Sequence, residues 1–313
     1  MDTIKRFTIE LAALIGLMLI SGVAIAQDSM VRMGNQKVGA YALLKARGIL
    51  EARLKPLGYS VSWTEFSSGP QLLDGLKLGA VDFGHGGEAP PIFAQAAGAE
   101  FIYIGHEPAA PQGEAILVPK DSPIKMIADL KGKKIALNKG SNVHYLLVRA
   151  LESAGLKYAD VDVVYLSPAE GRAAFDKGAV DAWVIWEPYR TSAEMSLAAR
   201  TLADGSGLVS NHEFFFVTKS FAQAHPQVIS IVLGAARDVY AEAVKDMAET
   251  AKTFSVAAGF PVPVMEVALS RRGFGVETMS DKVIADQQMI ADTFKALGLI
   301  PVAIHVTDVV RKL

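Results

Sequence analysis

Apolar and polar positions along this chain follow two periodicities, and the change from one to the other marks the predicted elements. Short apolar runs rich in Val, Ile, Phe and Tyr predict strands, and the segments between them repeat apolar residues at helical spacing. The helical spacing is clear after Ser141, where one apolar stripe contains Val143, Leu146, Leu147, Ala150, Leu151 and Ala154. Strands that alternate with helices in this way predict a mostly parallel sheet with helices on both faces.

The order of these elements occurs twice, and a short sequence signature repeats with it. The tetrapeptide GAVD occupies residues 79–82 and again 178–181, and each copy ends a predicted helix and opens a predicted strand. Four turn-forming residues can match by chance, but the elements around both copies follow the same order. The chain therefore predicts two similar α/β lobes, with a cleft where loops at the carboxyl ends of their strands meet.

The segment HEFFFVTKSF, residues 212–221, predicts a strand that returns to the first lobe, and the remainder of the chain has helical patterns. We therefore expect four regions. They are a signal peptide at 1–26, the first part of lobe 1 at 27–118, lobe 2 at 119–213, and the second part of lobe 1 at 214–313.

Residues 1–26 contain a short basic start, an apolar core and the small-residue pattern Ala24-Ile25-Ala26. These are the parts of a secretory signal peptide. An uncleaved anchor is the alternative, but the apolar run is short for a bilayer span. We expect cleavage before Gln27 and a mature protein in the periplasm.

Composition narrows the classes of function. The chain has no Cys, which excludes disulfides, thiolate metal sites and a lipid anchor on an N-terminal Cys. The formal net charge is −2, so there is no basic field to hold nucleic acid. Any recognition of an anion must be local.

One strand-to-helix transition, Asn-Lys-Gly-Ser-Asn at 138–142, is suited to an anion. Gly140 allows a close backbone approach, Ser141 can cap, and the free N–H groups of the first helical turn point out of the loop. The plainer interpretation is an ordinary Ser cap after a glycine turn. This stretch alone leaves both interpretations open.

The histidines His85, His106 and His144 do not indicate a metal site. They lie in separate segments without the short paired spacing of metal ligands, and no Cys accompanies them. We expect neither a metal nor a cofactor.

The sequence does not decide the roles of four charged residues. Glu88 and Glu187 precede or lie near Pro, so they are turn residues, an acid–base pair, or partners for an ammonium group on a ligand. Arg271 and Arg272 in SRRGFG either reach an anion or form a solvated turn, and we favour the solvated turn because exposed Arg is common.

Three stretches together resemble one family, the periplasmic aliphatic-sulfonate-binding proteins of ATP-binding-cassette (ABC) importers. They are LKLGAVDFGHGGEAPPIFAQAAGAEFIYIG, DSPIKMIADLKGKKIALNKGSNVHYLLVRALESAGL and AFDKGAVDAWVIWEPY. Taurine- and nitrate-binding proteins are more distant relatives. The resemblance implies a type II periplasmic binding fold, in which two α/β lobes joined by two crossing segments close on a ligand.

The resemblance also implies a set of site residues. The second lobe would bind the sulfonate through Gly140, Ser141, Asn142 and His144. The first lobe would contribute Gln36, Gln71, Gly87 and Glu88. Trp186 and Glu187 would form a wall of the cleft.

This set agrees with the chemistry of the ligand. A sulfonate is a permanent anion with three acceptor oxygens, so its site needs hydrogen-bond donors rather than a base, and neutral donors suffice. Selection among tails must come from apolar contact, for which Trp186 is the best-placed side chain. Burial of Trp186 in the core is the alternative.

The resemblance implies a monomeric, non-catalytic binding protein whose partners are a small organic sulfonate and an inner-membrane ABC permease with its ATPase. Taurine, nitrate or a sulfate ester is the alternative ligand. A pyrimidine-synthase-like enzyme on a related fold would require a Cys-rich iron segment, and this chain has no Cys. A receptor ectodomain would require a membrane span after the lobes, and the sequence has no such apolar run there.

Overall fold

The structure is a computed structural model that describes residues 29–311. The signal peptide expected at 1–26 lies outside the described residues. Within 29–311 no single helix is both long and apolar enough to cross a membrane. The helices Met247–Ala258 and Val262–Ser270 are together long and apolar enough for a membrane span, but they are bent by 116° at the break between them.

Two five-stranded sheets form the two lobes, which confirms the predicted α/β architecture. Sheet 1 has the order β2-β1-β3-β10-β4 and contains β1 (Ser29–Asn35), β2 (Tyr59–Glu65), β3 (Phe83–Gly87), β4 (Phe101–His106) and β10 (Glu213–Thr218). Sheet 2 has the order β7-β6-β8-β5-β9 and contains β5 (Glu114–Val118), β6 (Lys134–Leu137), β7 (Asp162–Tyr165), β8 (Ala182–Trp186) and β9 (Arg200–Asp204).

Each sheet is mixed but mostly parallel, as the sequence pattern predicted, because one of its five strands runs opposite to the other four. In sheet 1 the pairs β1–β2 and β1–β3 are parallel, and in sheet 2 the pairs β6–β7 and β6–β8 are parallel. The antiparallel strands are β10 in sheet 1 and β5 in sheet 2, each paired on both sides. Each of these two strands follows a crossing from the other lobe, so it enters its sheet from the cleft side and runs opposite to its neighbours.

The crossings themselves are residues 107–113 and 205–212, between the strands of the two sheets. The sequence expectation put 114–118 at the end of the first lobe, but these residues pair with β8 and β9 and lie in sheet 2. An apolar run gives no signal of which sheet it joins, which explains the difference. The strand expected to return to lobe 1 does so as β10.

The repeated GAVD motif has the same structural role in each lobe. The Asp82 carboxylate accepts a hydrogen bond from the backbone N–H of Arg32 in β1, at 2.9 Å. The Asp181 carboxylate accepts one from the backbone N–H of Lys134 in β6, at 2.8 Å. Each Asp thus joins the start of one strand to the neighbouring parallel strand, so the repeat reflects the equivalence of the two lobes.

Twelve helices cover the sheets within the described residues. The first lobe begins with α1 (Ala40–Arg47), α2 (Ile49–Leu54), α3 (Gly69–Lys77) and α4 (Pro90–Ala96), and the second lobe contains α5 (Asn142–Ser153), α6 (Pro168–Asp176) and α7 (Tyr189–Ser196). The chain then returns to lobe 1 through α8 (Lys219–Ala224), α9 (Pro226–Ala243), α10 (Met247–Ala258), α11 (Val262–Ser270) and α12 (Asp281–Ala296).

Strand β10 shows how sheet 1 is buried on both faces. Phe214 and Phe216 pack into one apolar cluster with α3, α4 and α12, and Phe215 and Val217 pack into the opposite cluster with α1 and α9. Successive strand residues point to opposite faces. A continuous apolar run is therefore expected for a strand that is covered on both sides.

The lobes also contact each other beside the cleft, at the first turns of α5. The His144 ring stacks on Phe93 of α4, with the ring centroids 6.1 Å apart, and lies 5.4 Å from Phe294 of α12. Tyr145 packs into the lobe 1 cluster that contains Phe214 and Phe216. The structure therefore shows the two lobes closed against each other on this side.

Candidate ligand-binding cleft

A cavity lies between the lobes, with about 510 Å³ of empty space when its solvent-open part is included. Both crossings and both lobes contribute to its wall, through Glu107, Gly113, Asn142, Trp186, Glu187, Asn211 and Glu213. A neighbouring chamber lined by Gln36, Lys37, Ser67 and Tyr189 shares Trp186, Glu187, Glu213 and Arg272 with the first. We call the two chambers together the cleft.

The C-terminal region supplies one whole wall of the cleft, which the sequence did not predict. Met265, Ala268 and Leu269 of α11 present an apolar surface to the cavity, and Arg271 and Arg272 follow directly after the helix. The sequence of α11, VPVMEVALS, is apolar almost throughout, so only the tertiary fold shows which side of the helix reaches the cavity.

Arg271 and Arg272 are not the solvated turn that the sequence favoured. Arg272 donates to the Glu107 carboxylate at 2.9 Å, and its side chain is 17% exposed. Burial lowers the pKa of Arg272, but the acidic groups Glu107, Tyr240 and Glu213 together outweigh this effect and raise the pKa overall. Both guanidiniums are held at the cleft by carboxylates. The sequence Arg-Arg-Gly is equally compatible with a surface turn, so it does not predict this position.

Glu107 is the centre of a buried network behind the cavity. His85 Nε2 donates to its Oε1 at 2.6 Å, Arg272 donates to its Oε2, and the Tyr240 hydroxyl donates to Oε1. Burial alone would raise the pKa of Glu107, but the charges of Arg272 and His85 lower it overall. An ionised Glu107 therefore holds Arg272 in place, and this network links β3, α9 and the first crossing.

Arg271 joins the two lobes across the cleft. Its Nη1 donates to Glu187 at 2.7 Å, to Glu194 at 2.8 Å and to the Thr191 hydroxyl at 3.1 Å. Glu187 also accepts from the Thr191 backbone N–H and hydroxyl. Burial raises the pKa of Glu187, and these hydrogen bonds oppose that shift. Glu187 thus lines the cleft as predicted, with its carboxylate already paired.

The predicted anion loop at 138–142 is bonded internally in this structure. The Ser141 hydroxyl donates to the Asn138 carbonyl at 2.7 Å, and the Gly140 N–H donates to His144 Nδ1 at 3.3 Å. Ser141 is the N-cap of α5, as the sequence predicted, but its side chain accepts no capping hydrogen bond. Neither Gly140 nor Ser141 lines the cleft.

His144 is a buried packing residue rather than a wall of the cleft. Its Nδ1 accepts from Gly140, so its Nε2 carries the proton and donates to the Tyr158 hydroxyl at 2.7 Å. Burial, together with the charge of Lys139, lowers the pKa of His144 to about 4. The ring is therefore neutral at ordinary pH.

Asn142 is the residue of that loop that does reach the cavity. Its side-chain nitrogen donates to Glu114 Oε2 at 2.6 Å and to Asn211 Oδ1 at 2.7 Å. Gly87 of lobe 1 lies directly against it, since a Cβ on Gly87 would come within 3.1 Å of the Asn142 amide. Gly87 is thus positioned beneath the site, where its lack of a side chain allows the lobes to approach.

Glu88 faces a different groove between the lobes, lined by Tyr145, Arg149, Asp286 and Ile290 among others. Its Oε2 accepts from the His212 backbone N–H at 3.1 Å, and its Oε1 is buried without a partner. Burial raises the pKa of Glu88 to about 8. The structure thus places Glu88 outside the cleft wall that contains Trp186.

The two predicted glutamines differ in position. Gln36 lines the cleft, where its side-chain nitrogen donates to the His85 carbonyl at 3.1 Å. Gln71 is exposed on α3, and its side-chain oxygen accepts from the Ser67 hydroxyl. The ten predicted site residues thus divide into two groups, and those that line the cleft are Gln36, Asn142, Trp186 and Glu187.

Trp186 ends β8 and lines both chambers of the cleft. It is partly exposed and meets the Tyr189 ring edge-on, with centroids 6.3 Å apart. Its neighbour two positions earlier, Trp183, is buried in the core of lobe 2. Trp186 therefore offers an aromatic surface to whatever occupies the cleft.

Within residues 29–311 no group of three or more His, Asp or Glu side chains is arranged to hold a metal ion. The site is instead an enclosed space with amide and guanidinium donors on its wall and an apolar surface formed by Trp186, Met265 and Leu269. Such a wall can bind an anion through hydrogen bonds and its hydrocarbon part through burial.

Comparisons with known proteins agree with this fold. A family model described as NMT1/THI5 like matches residues 64–250. The alkanesulfonate-binding protein SsuA from Xanthomonas axonopodis pv. citri, solved bound to MOPS, is 40% identical, with 90% of this chain and 98% of that chain covered and a TM-score of 0.86. The periplasmic aliphatic sulphonate binding protein SsuA from Escherichia coli is 38% identical, with 91% and 93% covered and a TM-score of 0.84.

A taurine-binding periplasmic protein of Escherichia coli (strain K12) is 30% identical over 59% of this chain and 58% of its own length. The two solved SsuA structures cover nearly the whole described chain, so they confirm the periplasmic-binding-protein fold with two lobes. The chain therefore belongs to the NMT1/THI5-like family, in the group that contains the SsuA sulfonate-binding proteins.

Proposed function

We propose that this protein captures an aliphatic sulfonate in the periplasm and delivers it, as a monomer and without catalysis, to an ABC importer in the inner membrane. The observation that carries the proposal is the cleft itself. Donor groups and an apolar surface line one enclosed space between two lobes, and proteins of the same group are described as binding sulfonates.

The anionic end of the ligand would be held by donors that the cleft wall presents. Arg271 and Arg272 each use part of a five-donor guanidinium on carboxylates, which leaves further N–H groups at the cavity that both residues line. Gln36 adds a neutral amide donor, because its side-chain nitrogen has a second hydrogen beyond the one that bonds the His85 carbonyl. Asn142 uses both hydrogens of its side-chain nitrogen on Glu114 and Asn211, so it lines the cavity without a free donor. Charge-assisted hydrogen bonds contribute about 1.5–3 kcal/mol each, so three or four account for an affinity in the micromolar range.

The hydrocarbon tail would lie against Trp186, Met265 and Leu269. Each methylene removed from water contributes roughly 0.8 kcal/mol. Chain length is therefore selected by how much of this apolar surface the tail covers. Gly87, Gly140, Ser141 and His144 would act indirectly, by fixing Asn142 and the contact between the lobes, whereas Gln71 and Glu88 lie outside the proposed contacts.

Isothermal titration calorimetry on the mature chain tests this proposal. The ligands are methane-, propane- and hexanesulfonate, taurine, sulfate and nitrate. We expect the organic sulfonates to bind with micromolar or tighter affinity and the two inorganic anions to bind at least tenfold more weakly. Binding of nitrate or sulfate in preference to every sulfonate, or of no ligand in the panel, would overturn the proposal.

A further inference from the structure

Three carboxylates line the main cavity, and two of them already accept hydrogen bonds from neighbouring side chains. Glu107 is bonded to His85, Arg272 and Tyr240, and Glu187 is bonded to Arg271 and Thr191. Glu213 is the third. Within residues 29–311 no donor forms a hydrogen bond to the Glu213 carboxylate, and the nearest basic nitrogen is His85 Nδ1 at 3.9 Å.

The Glu213 carboxylate faces the cleft. Its side chain is 24% exposed, and it lines both chambers at the start of β10. His85 already donates a hydrogen bond to Glu107 through its other nitrogen, Nε2, and Arg272 also donates to Glu107. Glu213 therefore faces the cleft, and its basic neighbours His85 and Arg272 are bonded to Glu107 instead.

One further carboxyl group, Glu114, lies behind this part of the wall, and Glu88 faces the neighbouring groove between the lobes. Glu114, with 0% exposure, is bonded through Oε2 to Asn142, and its Oε1 is buried without a partner. Glu88, with 2% exposure, likewise has a buried Oε1 without a partner. Burial raises the pKa of Glu114, and the negative charges of Glu88 and Glu213 raise it further.

In the main cavity three carboxylates, Glu107, Glu187 and Glu213, face two guanidiniums, Arg271 and Arg272, although the proposed ligand is an anion. A simple alkanesulfonate would bring more negative charge to this wall and would leave Glu213 desolvated without a partner when the cleft closes. An unpaired buried charge is costly, and an opposite charge placed against it recovers much of that cost. A ligand with its own cation removes the conflict.

We propose that Glu213 binds a protonated amine on the ligand, so that the cleft prefers zwitterionic aminosulfonates to alkanesulfonates of equal length. This inference rests on the proposed function and specifies its substrate class. The sulfonate takes the guanidinium and amide donors, and the ammonium takes the one cleft-facing carboxylate that has no hydrogen bond. Glu213 is then a specificity residue rather than an anion ligand.

Calorimetry with matched pairs of ligands tests the assignment. The pairs are propanesulfonate with 3-aminopropanesulfonate, and ethanesulfonate with taurine, each at neutral pH. We expect at least one amino compound to bind roughly tenfold or more tightly than its alkyl partner, the scale of one charge-assisted hydrogen bond. N-acetyltaurine keeps the sulfonate but has no cation, so it should lose the gain.

The variant Glu213→Gln keeps the shape of the side chain and removes the charge. It should abolish the preference for the amino compounds, which is measured as the ratio of the two affinities within each matched pair. Glu100→Gln makes the same charge change on an exposed residue outside the cleft and should preserve the wild-type preference. Thermal melting of each variant shows whether it is folded.

The outcomes separate this inference from the proposed function. Equal binding of amino and alkyl partners by the wild type, or a preference that survives Glu213→Gln, overturns the role of Glu213 while sulfonate binding stands. A wild-type protein that binds none of the sulfonates overturns both.

Discussion

Arg271, which follows the last turn of α11 in lobe 1, donates to Glu187 of lobe 2 at 2.7 Å across the cleft. The same nitrogen donates to Glu194 at 2.8 Å. The pair forms only when the lobes are close, so it stabilises the closed arrangement. Since Arg271 also lines the cavity, closure and ligand binding share this residue.

Replacing Arg271 with Met should weaken binding of every sulfonate. A truncated, partly buried ion pair typically costs about 1–3 kcal/mol, which corresponds to a factor of roughly 5–150 in affinity. Small-angle scattering should show that the ligand reduces the radius of gyration less in Arg271→Met than in the wild type, with motion about residues 107–113 and 205–212. Arg53→Met removes an exposed pair with Asp238 that lies within lobe 1, and it serves as the control. Unchanged affinity and unchanged contraction in Arg271→Met would show that the bridge does not stabilise closure.

Trp186→Ala should weaken binding of long-chain sulfonates more than short ones, because only the tail reaches the ring. Each methylene in contact contributes roughly 0.8 kcal/mol, so the loss for hexanesulfonate should exceed that for methanesulfonate by about 1–3 kcal/mol. Trp63→Ala removes an indole of lobe 1 that bonds Glu51 outside the cleft, and it should preserve the ranking of ligands. An equal loss for both sulfonates in a folded Trp186→Ala variant would assign Trp186 to packing.

Glu88 predicts a pH dependence of stability. Burial raises its pKa from 4.5 to about 8 in the folded protein, so the folded state keeps a proton that the unfolded state releases in between. Stability should therefore fall as pH rises from about 4.5 to 8, by a few kcal/mol at most from this group. Glu88→Gln, which stays neutral, should flatten the dependence of the unfolding free energy across that window.

The exposed pair Glu242 and Lys245 offers a control for this measurement. Glu242→Gln should keep the wild-type decline between pH 4.5 and 8, because that carboxylate is not buried. An equal loss of stability with rising pH in Glu88→Gln and in the wild type would contradict this prediction, because it would mean that Glu88 is ionised in the folded protein.

His144 predicts the opposite sign at lower pH. Its pKa is lowered from 6.5 to about 4 by burial and by Lys139, so the unfolded state binds a proton first. The stability that the neutral ring contributes is complete above about 6.5 and is lost as pH falls toward 4. Histidine NMR titration, assigned with a His144→Gln variant, should give a midpoint well below 6. A midpoint near 6.5 would contradict this prediction, because His144 would then become charged near neutral pH and could donate a charge-assisted hydrogen bond to an anion.

Local patterns predicted the architecture well because local physics determines it. The apolar stripe from Val143 to Leu151 is buried as expected, and the GAVD repeat marks equivalent turns in both lobes. The predicted helix at 141–154 is observed as Asn142–Ser153 with Ser141 at its N-cap. Element type depends on periodicity and capping, which a sequence displays directly.

The cleft was predicted less completely because its wall depends on long-range contacts. Ser141 and Gly140 have the letters of an anion loop, yet their donors are used by Asn138 and His144. Arg272 has the letters of a surface turn, yet it bonds Glu107, which lies 165 positions away in sequence. No local pattern records such a partner, so the direction of a loop side chain has to come from the fold.

The central claim is that a sulfonate lies in the cleft between Arg271, Arg272 and Trp186, and a crystal of the protein with 3-bromopropanesulfonate tests it most directly. Anomalous scattering locates the bromine independently of the refined coordinates. We predict one bromine peak in van der Waals contact with the Trp186 ring, and sulfonate oxygens within hydrogen-bond distance of the guanidinium or amide donors. A bromine peak in the groove beside Glu88, or a cleft that stays free of bromine when calorimetry shows binding, would contradict the account.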